Sequence, residues 1–206
     1  MSNFRLVLLT SIISIFVTSA ILFASAGFSP VIPKRNFIKD FYATEVAVRV
    51  SPHTLRKKMD RGEENFVLVD VRSAEEYEKE HVVGAINIPA YKDANTSISL
   101  ETEKEETDRI IKNFATLSKD KETIVYCYSS ACMTGRKIGD LLARNGIYVK
   151  HLGIGWNEWR YDWKSWNHDG EWDSTKVEDY VVSGKEAGKP KQIEAPSPCG
   201  NGELSC

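Results

Sequence analysis

The sequence predicts an α/β domain whose mainly parallel sheet has helices on both faces. Short apolar runs at 66–71 and 123–126 are typical of strands buried on both faces, and amphipathic stretches of helical length alternate with them. Strands that alternate with helices form βαβ units with parallel strands. Ligands of such sheets bind beyond the carboxyl ends of the strands.

Local signals predict the individual elements. A helix begins at Ser51-Pro52, by the preferences for the N-cap and the first helical position, and ends at Gly62. Residues 73–76 have the pattern of a capping box, and Asn145-Gly146 ends the helix that follows the strand 123–126. The other predicted elements are strands at 46–50, 84–89 and 149–152 and a helix at 103–117.

The N-terminal residues 1–28 are predicted to lie outside the domain, as a signal peptide or a membrane anchor. The segment Leu6 to Phe23 is an uncharged, hydrophobic helix candidate close to the roughly 20 residues that span a hydrocarbon core. Ala24-Ser25-Ala26 then offers a small-x-small cleavage site. We therefore expect an exported or membrane-anchored protein that meets the membrane through residues 6–23. Basic residues on both sides leave its orientation open.

Composition predicts the remaining organisation. Residues 29–44 contain Pro30 and Pro33 and are expected to be a linker, and 45–170 to be the folded domain. The extension 171–206 loses apolar residues near Gly184, so flexibility is expected from there. A net charge of −2 gives no basic surface, and we expect no nucleic-acid partner. In the tail lie Cys199 and Cys206, which could pair in an oxidising compartment.

A cysteine ends one of the predicted strands. Cys127 follows the run 123–126, a polar loop separates it from Cys132, and the amphipathic stretch from Thr134 comes next. A helix N-terminus presents unpaired N–H groups and a partial positive charge, and both stabilise a thiolate. The segment therefore indicates sulfur chemistry.

Several segments together resemble a rhodanese-like domain, over roughly Ala47 to Trp166. Their order and spacing match the family pattern: Leu68-Val69-Asp70-Val71-Arg72, Glu75-Glu76-Tyr77, His81, Gly84-Ala85-Ile86-Asn87-Ile88-Pro89, Val125-Tyr126-Cys127 and Ile154-Gly155-Trp156-Asn157-Glu158-Trp159. The resemblance implies a sulfurtransferase that carries sulfane sulfur as a cysteine persulfide, without a metal or an organic cofactor. Its partners would be a small sulfur donor and a thiol or cyanide-like acceptor.

The loop differs from the common family form, in which a glycine precedes an Arg–Ser pair. Ser130 replaces the glycine and Cys132 the arginine, which resembles a subgroup with a Cys-x4-Cys loop. Cys127 has the position of the family's persulfide cysteine, so we expect it to be the nucleophile and Cys132 to resolve the persulfide. Cys132 as the nucleophile, or a static disulfide, fits the same spacing.

The other candidate residues surround this loop. Ser129-Ser130 would help to hold the persulfide, and Arg136 would either attract an anionic donor or lie in solvent. From the resemblance, Asp70 and Arg72 are expected to brace the strand end. His81 is expected to be structural rather than a general base.

Other functions fit the loop less well or need different chemistry. A redox protein would cycle Cys127 and Cys132 between dithiol and disulfide. A catalytically silent module would use the cleft for a partner. A related phosphatase is excluded, because it needs an arginine six positions after the cysteine, where Met133 and Ile138 stand.

Overall fold

The computed structural model describes residues 11–18, 36–91, 93, 95 and 104–192. The chain divides into two compact units, Met1–Tyr42 and Ala43–Cys206. In the first unit, residues 11–18 are helical (α1) with exposed side chains. Helix α2 begins at Phe37 and runs on to Val48 in the second unit.

The predicted membrane segment lies largely outside the described residues. Only 11–18 of the span Leu6 to Phe23 are described, and the candidate cleavage site at Ala24-Ser25-Ala26 is not. Among the residues that are described, no helix has both the length and the apolar character to cross a membrane. The anchor or signal peptide stays a prediction.

The predicted linker 29–44 is helical over most of its described part. Asn36 starts helix α2: its side chain accepts the Lys39 N–H at 3.2 Å, and its carbonyl accepts the Asp40 N–H at 3.0 Å. Both prolines precede this point, so the chain is free to form backbone hydrogen bonds after it. Most of the residues predicted to form a strand at 46–50 belong to this helix. Only Arg49–Val50 form a strand, β1.

The main sheet has five parallel strands in the order β1-β6-β5-β2-β4, which confirms the predicted α/β class. Besides β1, these strands are β2 (Phe66–Asp70), β4 (Ala85–Asn87), β5 (Glu122–Tyr126) and β6 (Lys150–Leu152). A separate antiparallel ribbon pairs β3 (His81–Val82) with β7 (Val181–Val182). The central strand β5 runs beside β2 and β6, so its carboxyl end lies in the middle of the sheet edge.

Helices cover both faces of the sheet. Successive residues of a strand point to opposite faces, and Ile124 packs in one core cluster while Val125 packs in the other. Leu55 of α3 and Trp159 of α7 join the first cluster, and Phe114 of α5 joins the second. The helices after α2 are α3 (Pro52–Asp60), α4 (Ala74–Lys79), α5 (Lys104–Ala115), α6 (Thr134–Arg144), α7 (Trp156–Tyr161) and α8 (Trp163–Trp166).

The C-terminal extension is part of the folded unit as far as residue 192. Two short 3₁₀ turns, Asp169–Glu171 and Val177–Tyr180, precede β7. The Tyr180 hydroxyl donates to Asp60 Oδ1 at 2.6 Å.

The segment 184–192, for which the composition predicts flexibility, is bound to the domain by its main chain. The Gly184 N–H donates to the carbonyl of Glu78 at 2.8 Å, and the Gly84 N–H donates to the carbonyl of Ala187 at 2.5 Å. Backbone hydrogen bonds need no apolar side chains, which is why composition alone misses them. Residues 193–206, with Cys199 and Cys206, lie outside the described part.

Candidate active site

The two-cysteine loop connects the central strand β5 to helix α6. Cys127 follows the last residue of β5, and Thr134 is the first residue of α6. Cys127 is 1% exposed, whereas Cys132 is half-buried, and both are free thiols. A small molecule that approaches from solvent therefore reaches Cys132 first.

The backbone of the loop lies directly against the start of helix α7. The N–H groups of Trp156 and Asn157 donate to the carbonyls of Cys127 and Tyr128, both at 2.8 Å. A Cβ atom on Gly155 would lie only 2.2 Å from the backbone nitrogen of Ser129. The absence of a side chain at Gly155 is therefore what lets the loop approach α7 so closely.

A carboxylate on α7 binds the middle of the loop. Glu158 accepts hydrogen bonds from the N–H and the hydroxyl of Ser130, at 3.0 and 2.9 Å, and from the Gly155 N–H at 3.0 Å. Burial raises the pKa of Glu158, but these hydrogen bonds outweigh it and the pKa is lowered. Glu158 is therefore an anion that orders the loop.

The two thiols differ in charge. The hydrogen bond from Cys127, supported by those from Thr134, outweighs burial and lowers the pKa of Cys132 to about 4. The same bond, together with burial, raises the pKa of Cys127 well above its usual range. The lowered pKa favours the anion on Cys132, and the raised pKa keeps the proton on Cys127.

Two hydroxyl groups next to the thiols are absent from the sequence-based site. The hydroxyls of Tyr91 and Thr134 are hydrogen-bonded to each other, and the Tyr91 ring packs edge-on against Tyr128 with centroids 5.5 Å apart. Tyr91 comes two residues after the motif Gly84 to Pro89, and its residue type alone gives no signal of a role.

The loop residues predicted to bind substrate form hydrogen bonds with other groups of the protein. Both donors of Ser130 are directed to Glu158 rather than to a sulfur, and the Ser129 carbonyl accepts the Cys132 N–H at 3.0 Å. The exposed guanidinium of Arg136 donates to the carbonyls of Ser130 and Cys132 at 3.1 and 3.2 Å. It thereby closes the loop onto the first turn of α6.

Asp70 and Arg72 form a buried brace under the loop. The Arg72 guanidinium donates to both oxygens of Asp70, at 2.7 Å for the shortest contact, and the Arg72 N–H donates to Oδ1 at 2.8 Å. The Tyr126 hydroxyl donates to Asp70 Oδ2 at 2.6 Å. Tyr126 directly precedes Cys127, so the brace supports the point at which the cysteine loop begins.

His81 contacts main-chain carbonyls and the ring of Tyr77. Its Nδ1 lies 2.7 Å from the Tyr77 carbonyl and its Nε2 lies 3.2 Å from the Glu186 carbonyl. Its ring stacks on Tyr77 with centroids 3.6 Å apart. These contacts are those of a structural histidine.

A second histidine lies beneath the start of helix α6. His151 on β6 packs so close to Gly135 that an added Cβ there would be 2.8 Å from the ring. Neither ring nitrogen of His151 has a hydrogen-bond partner among the described residues. Burial and the charges of Arg136 and Arg49 lower the pKa of His151 to about 4, so the ring is neutral near the loop.

More than half of the chain matches the model of a known protein family. Residues 51–162 match the family model of the rhodanese-like domain. The chain belongs to the rhodanese-like family. This confirms the resemblance inferred from the sequence motifs. The matched region contains the strands β2, β4, β5 and β6, the cysteine loop and α7, so both loop cysteines and Glu158 lie inside it.

Individual relatives are similar over parts of their length. The chain is 33% identical over 106 residues to the HTH-type transcriptional regulator Rv0324 of Mycobacterium tuberculosis, a match that covers 52% of this chain and 38% of that protein. The structure of the BH2092 protein from Bacillus halodurans is 28% identical, with a TM-score of 0.47 and coverage of 62% and 81%. The rhodanese-like domain of the Alr3790 protein from Anabaena is 16% identical, with a TM-score of 0.42 and coverage of 75% and 93%.

Within the described residues, no three His, Cys, Asp or Glu side chains are grouped so that they could hold a metal ion. The chemically reactive groups are a thiolate, a neighbouring thiol and hydroxyl donors. This arrangement can form, hold and release a sulfur–sulfur bond.

Proposed function

We propose that this rhodanese-like protein is a sulfurtransferase that carries sulfane sulfur as a persulfide on its two-cysteine loop. The observation that carries the proposal is the placement of two free thiols in the loop between β5 and α6, with the half-buried Cys132 two residues before the first residue of α6. A thiolate is the nucleophile of sulfur transfer, and a helix N-terminus favours the anion.

The first half-reaction loads the loop. The Cys132 thiolate attacks the outer sulfur of a donor, such as a thiol persulfide or thiosulfate. A new sulfur–sulfur bond forms on Cys132 as the donor's own bond to that sulfur breaks, and the donor's remaining anion leaves. No electron is gained or lost overall, because one sulfur–sulfur bond replaces another.

The second half-reaction removes the outer sulfur from the Cys132 persulfide in one of two ways. An acceptor thiolate or a cyanide-like nucleophile can take the outer sulfur and return the Cys132 thiolate. Alternatively, Cys127 can attack the inner sulfur, lose its proton to the departing sulfur as hydrosulfide, and leave a Cys127–Cys132 disulfide. An external thiol must then reduce this disulfide. The buried thiol next to Cys132 makes the second route available.

The nucleophile assigned here differs from the residue that the family position favours. That position is occupied by Cys127, which is 1% exposed and keeps its proton. Direct attack by Cys127 requires the loop to open, whereas Cys132 is accessible in the described conformation. The same persulfide chemistry on Cys127 is the alternative assignment.

Intact mass of the protein after donor treatment tests the proposal. Reduced protein treated with thiosulfate or with a thiol persulfide should gain the mass of one sulfur atom, and an acceptor thiol should remove it. Absence of any gain, while both cysteines react with an alkylating reagent, would contradict sulfur transfer. Peptide mapping of the loaded protein then assigns the sulfur to one cysteine.

A redox function is the second candidate, and the presence of two free thiols in one loop favours it. Such a protein would cycle between dithiol and disulfide without carrying sulfur. Its mass would fall by the thiol hydrogens on oxidation and never rise on donor treatment. A catalytically silent rhodanese-like module would show neither change.

The location of the protein in the cell is proposed from the sequence. We propose that residues 6–23 attach the protein to a membrane or direct its export, because this segment is uncharged and apolar. Full-length protein should then fractionate with membranes or be processed near Ala26. Unprocessed protein in the soluble cytosolic fraction would contradict this proposal.

A further inference from the structure

Helix α2 exposes large apolar side chains along its whole length. Five of them are between 59% and 78% exposed and the sixth is 39% exposed, and no residue of the helix is buried. The six are Phe37, Ile38, Phe41, Tyr42, Val46 and Val48. A helix on the surface of a globular domain normally packs its apolar side chains on the core. The apolar side chains of α2 are instead free to bind another surface.

These side chains form one continuous face. Ile38, Tyr42 and Val46 follow one another at intervals of four residues and therefore lie in one row along the helix. Phe37 and Phe41 start the adjoining row in the same way. The aromatic rings of the two rows touch, because Phe41 and Tyr42 meet edge-on with centroids 5.3 Å apart.

One charged residue, Glu45, lies in this face, four residues after Phe41. Its carboxylate accepts a hydrogen bond from the Arg49 guanidinium at 2.9 Å. The two charges are opposite, so the pair adds no net charge to the face.

Exposed side chains of this kind are concentrated near the N-terminus. In the described part of the chain, fifteen large hydrophobic residues are exposed, and eleven of them lie between residues 12 and 48. The other four are far apart in the sequence, at Met133, Tyr148, Tyr161 and Trp172. Single exposed apolar residues are ordinary, whereas a contiguous patch marks an interaction site. Apolar exposure is thus a property of α1 and α2, and α1 belongs to the uncharged segment Leu6 to Phe23.

The charges of the same region fit an anionic lipid surface. Residues 1–39 contain no Asp or Glu, and their four basic residues are Arg5, Lys34, Arg35 and Lys39. Three of these surround the start of α2. The whole chain has a net charge of −2, so the excess of positive charge is specific to this end. Basic residues next to an apolar segment are attracted to anionic headgroups.

The position of α2 in the sequence puts it within reach of a membrane that residues 6–23 would enter. Thirteen residues separate Phe23 from Phe37. A chain of that length spans up to about 45 Å, so α2 can lie on the bilayer surface at which the segment ends. Phe and Tyr on one face, with basic residues beside them, are typical of helices that lie in the plane of the membrane interface.

We propose that α2 is a membrane-binding helix whose apolar face inserts among the headgroups of a bilayer that contains anionic lipid. The helix ends at Val48 and strand β1 begins at Arg49 with no loop between them. A bound α2 therefore holds the rhodanese-like domain at the membrane surface, where sulfur transfer would take place. The proposal rests on the proposed location in that it takes the membrane of residues 6–23 as its partner.

A tryptophan introduced at position 41 measures the contact with lipid. Phe41→Trp keeps an aromatic ring on the face, and Tyr148→Trp is the matched control, because Tyr148 is 81% exposed outside α2. Full-length wild type and variants are reconstituted in vesicles of phosphatidylglycerol and phosphatidylcholine, with or without bromine on the acyl chains. The emission of the five native tryptophans is subtracted with the wild type. Brominated lipid should quench the emission added by Phe41→Trp at least twofold and leave that added by Tyr148→Trp unchanged.

The outcomes separate α2 from the location of the protein. Unquenched emission from Phe41→Trp, in vesicles that retain the protein, would overturn the role of α2 and leave the membrane attachment intact. Equal quenching in both variants would overturn it too, because the contact would not be specific to α2. If the full-length protein stays unprocessed in the soluble fraction, the proposed location fails. Vesicles added to that protein then still test α2 by the same quenching.

Trypsin cleavage at Lys39, inside α2, provides a second measurement. In the wild type the bound helix should be cleaved slowly in vesicles, and Phe37→Ser combined with Phe41→Ser should speed cleavage roughly tenfold. Tyr148→Ser combined with Tyr161→Ser is the control and should leave the rate unchanged. Equal rates in the wild type and the α2 variant would overturn the proposal. If, in addition, the wild type is a dimer in detergent and the α2 variant a monomer, a second copy of the chain covers this face instead of lipid.

Discussion

The carboxylate of Glu158 accepts both donors of Ser130, the backbone N–H at 3.0 Å and the hydroxyl at 2.9 Å. The same carboxylate accepts the Gly155 N–H at 3.0 Å. The cysteine loop is thus joined at its midpoint to the helix that also binds its carbonyls. The position of the thiols therefore depends on an anion that is 28 residues away from Ser130 in the chain.

Replacing Glu158 by alanine should loosen the loop. Two N–H groups and a hydroxyl lose their acceptor, which should lower the free energy of unfolding by about 1–3 kcal/mol and reduce the rate of persulfide formation about tenfold. Glu158→Gln keeps an acceptor oxygen and should have a smaller effect. Glu178→Ala is the control, because Glu178 is 69% exposed and its ion pair with Arg160 is long, at 3.9 Å. Equal effects of Glu158→Ala and Glu178→Ala would contradict the assignment.

Asp70 is expected to support the fold rather than to react. Asp70→Ala removes the buried partner of Arg72 and should lower the free energy of unfolding by roughly 3–5 kcal/mol, because a buried guanidinium is left without its counter-ion. Tyr126→Phe removes only one hydrogen bond to Asp70 and should cost roughly 1–2 kcal/mol. Denaturant midpoints measure both. An unchanged midpoint with lost activity would instead make Asp70 catalytic.

Features that depend on neighbouring residues could be predicted from the sequence. The apolar runs place β2 and β5 correctly, at Phe66–Asp70 and Glu122–Tyr126. The Asp70–Arg72 ion pair joins residues two positions apart. The position of a cysteine between β5 and α6 also follows from local patterns, because strand and helix signals adjoin it.

Features that depend on distant contacts could not be predicted in this way. Tyr91 meets Thr134 across 43 residues, and Glu158 meets Ser130 across 28. The motif Ile154 to Trp159 contains Glu158 but does not indicate its partner, and nothing in the residues next to Tyr91 distinguishes it from an ordinary surface residue. The difference in charge between Cys127 and Cys132 also required the structure, because it arises from the burial of one sulfur and the donors around the other.

Buried histidines should make the protein less stable in mild acid. Burial lowers the pKa of His53, His81 and His151, the last to about 4. An unfolded histidine titrates near 6.5, so below that pH the unfolded chain binds more protons than the folded one. The free energy of unfolding should therefore fall as the pH drops from about 6.5 toward the folded pKa values.

The variant His151→Gln isolates one part of this acid sensitivity. Glutamine does not titrate, so the decline in the denaturant midpoint between pH 7 and pH 5, roughly the range in which an unfolded histidine gains its proton, should be shallower than in the wild type. Carboxylates with lowered pKa values, such as Glu158 and Glu171, affect both proteins equally. Parallel curves for the two proteins would show that His151 does not contribute.

The two cysteines should respond differently to substitution. Cys132→Ser removes the accessible thiolate and should abolish persulfide formation with thiosulfate and with a thiol persulfide. Cys127→Ala should still form a persulfide on Cys132 but no disulfide. It should also raise the pKa of Cys132, because the hydrogen bond from Cys127 is the main cause of the lowered value. Intact mass and turnover of both variants provide the measurement. If Cys127→Ala alone loses the persulfide, the nucleophile is Cys127, at the position that the family favours. If both variants keep full turnover, the sulfur is not carried on this loop and the role proposed for Cys132 is wrong.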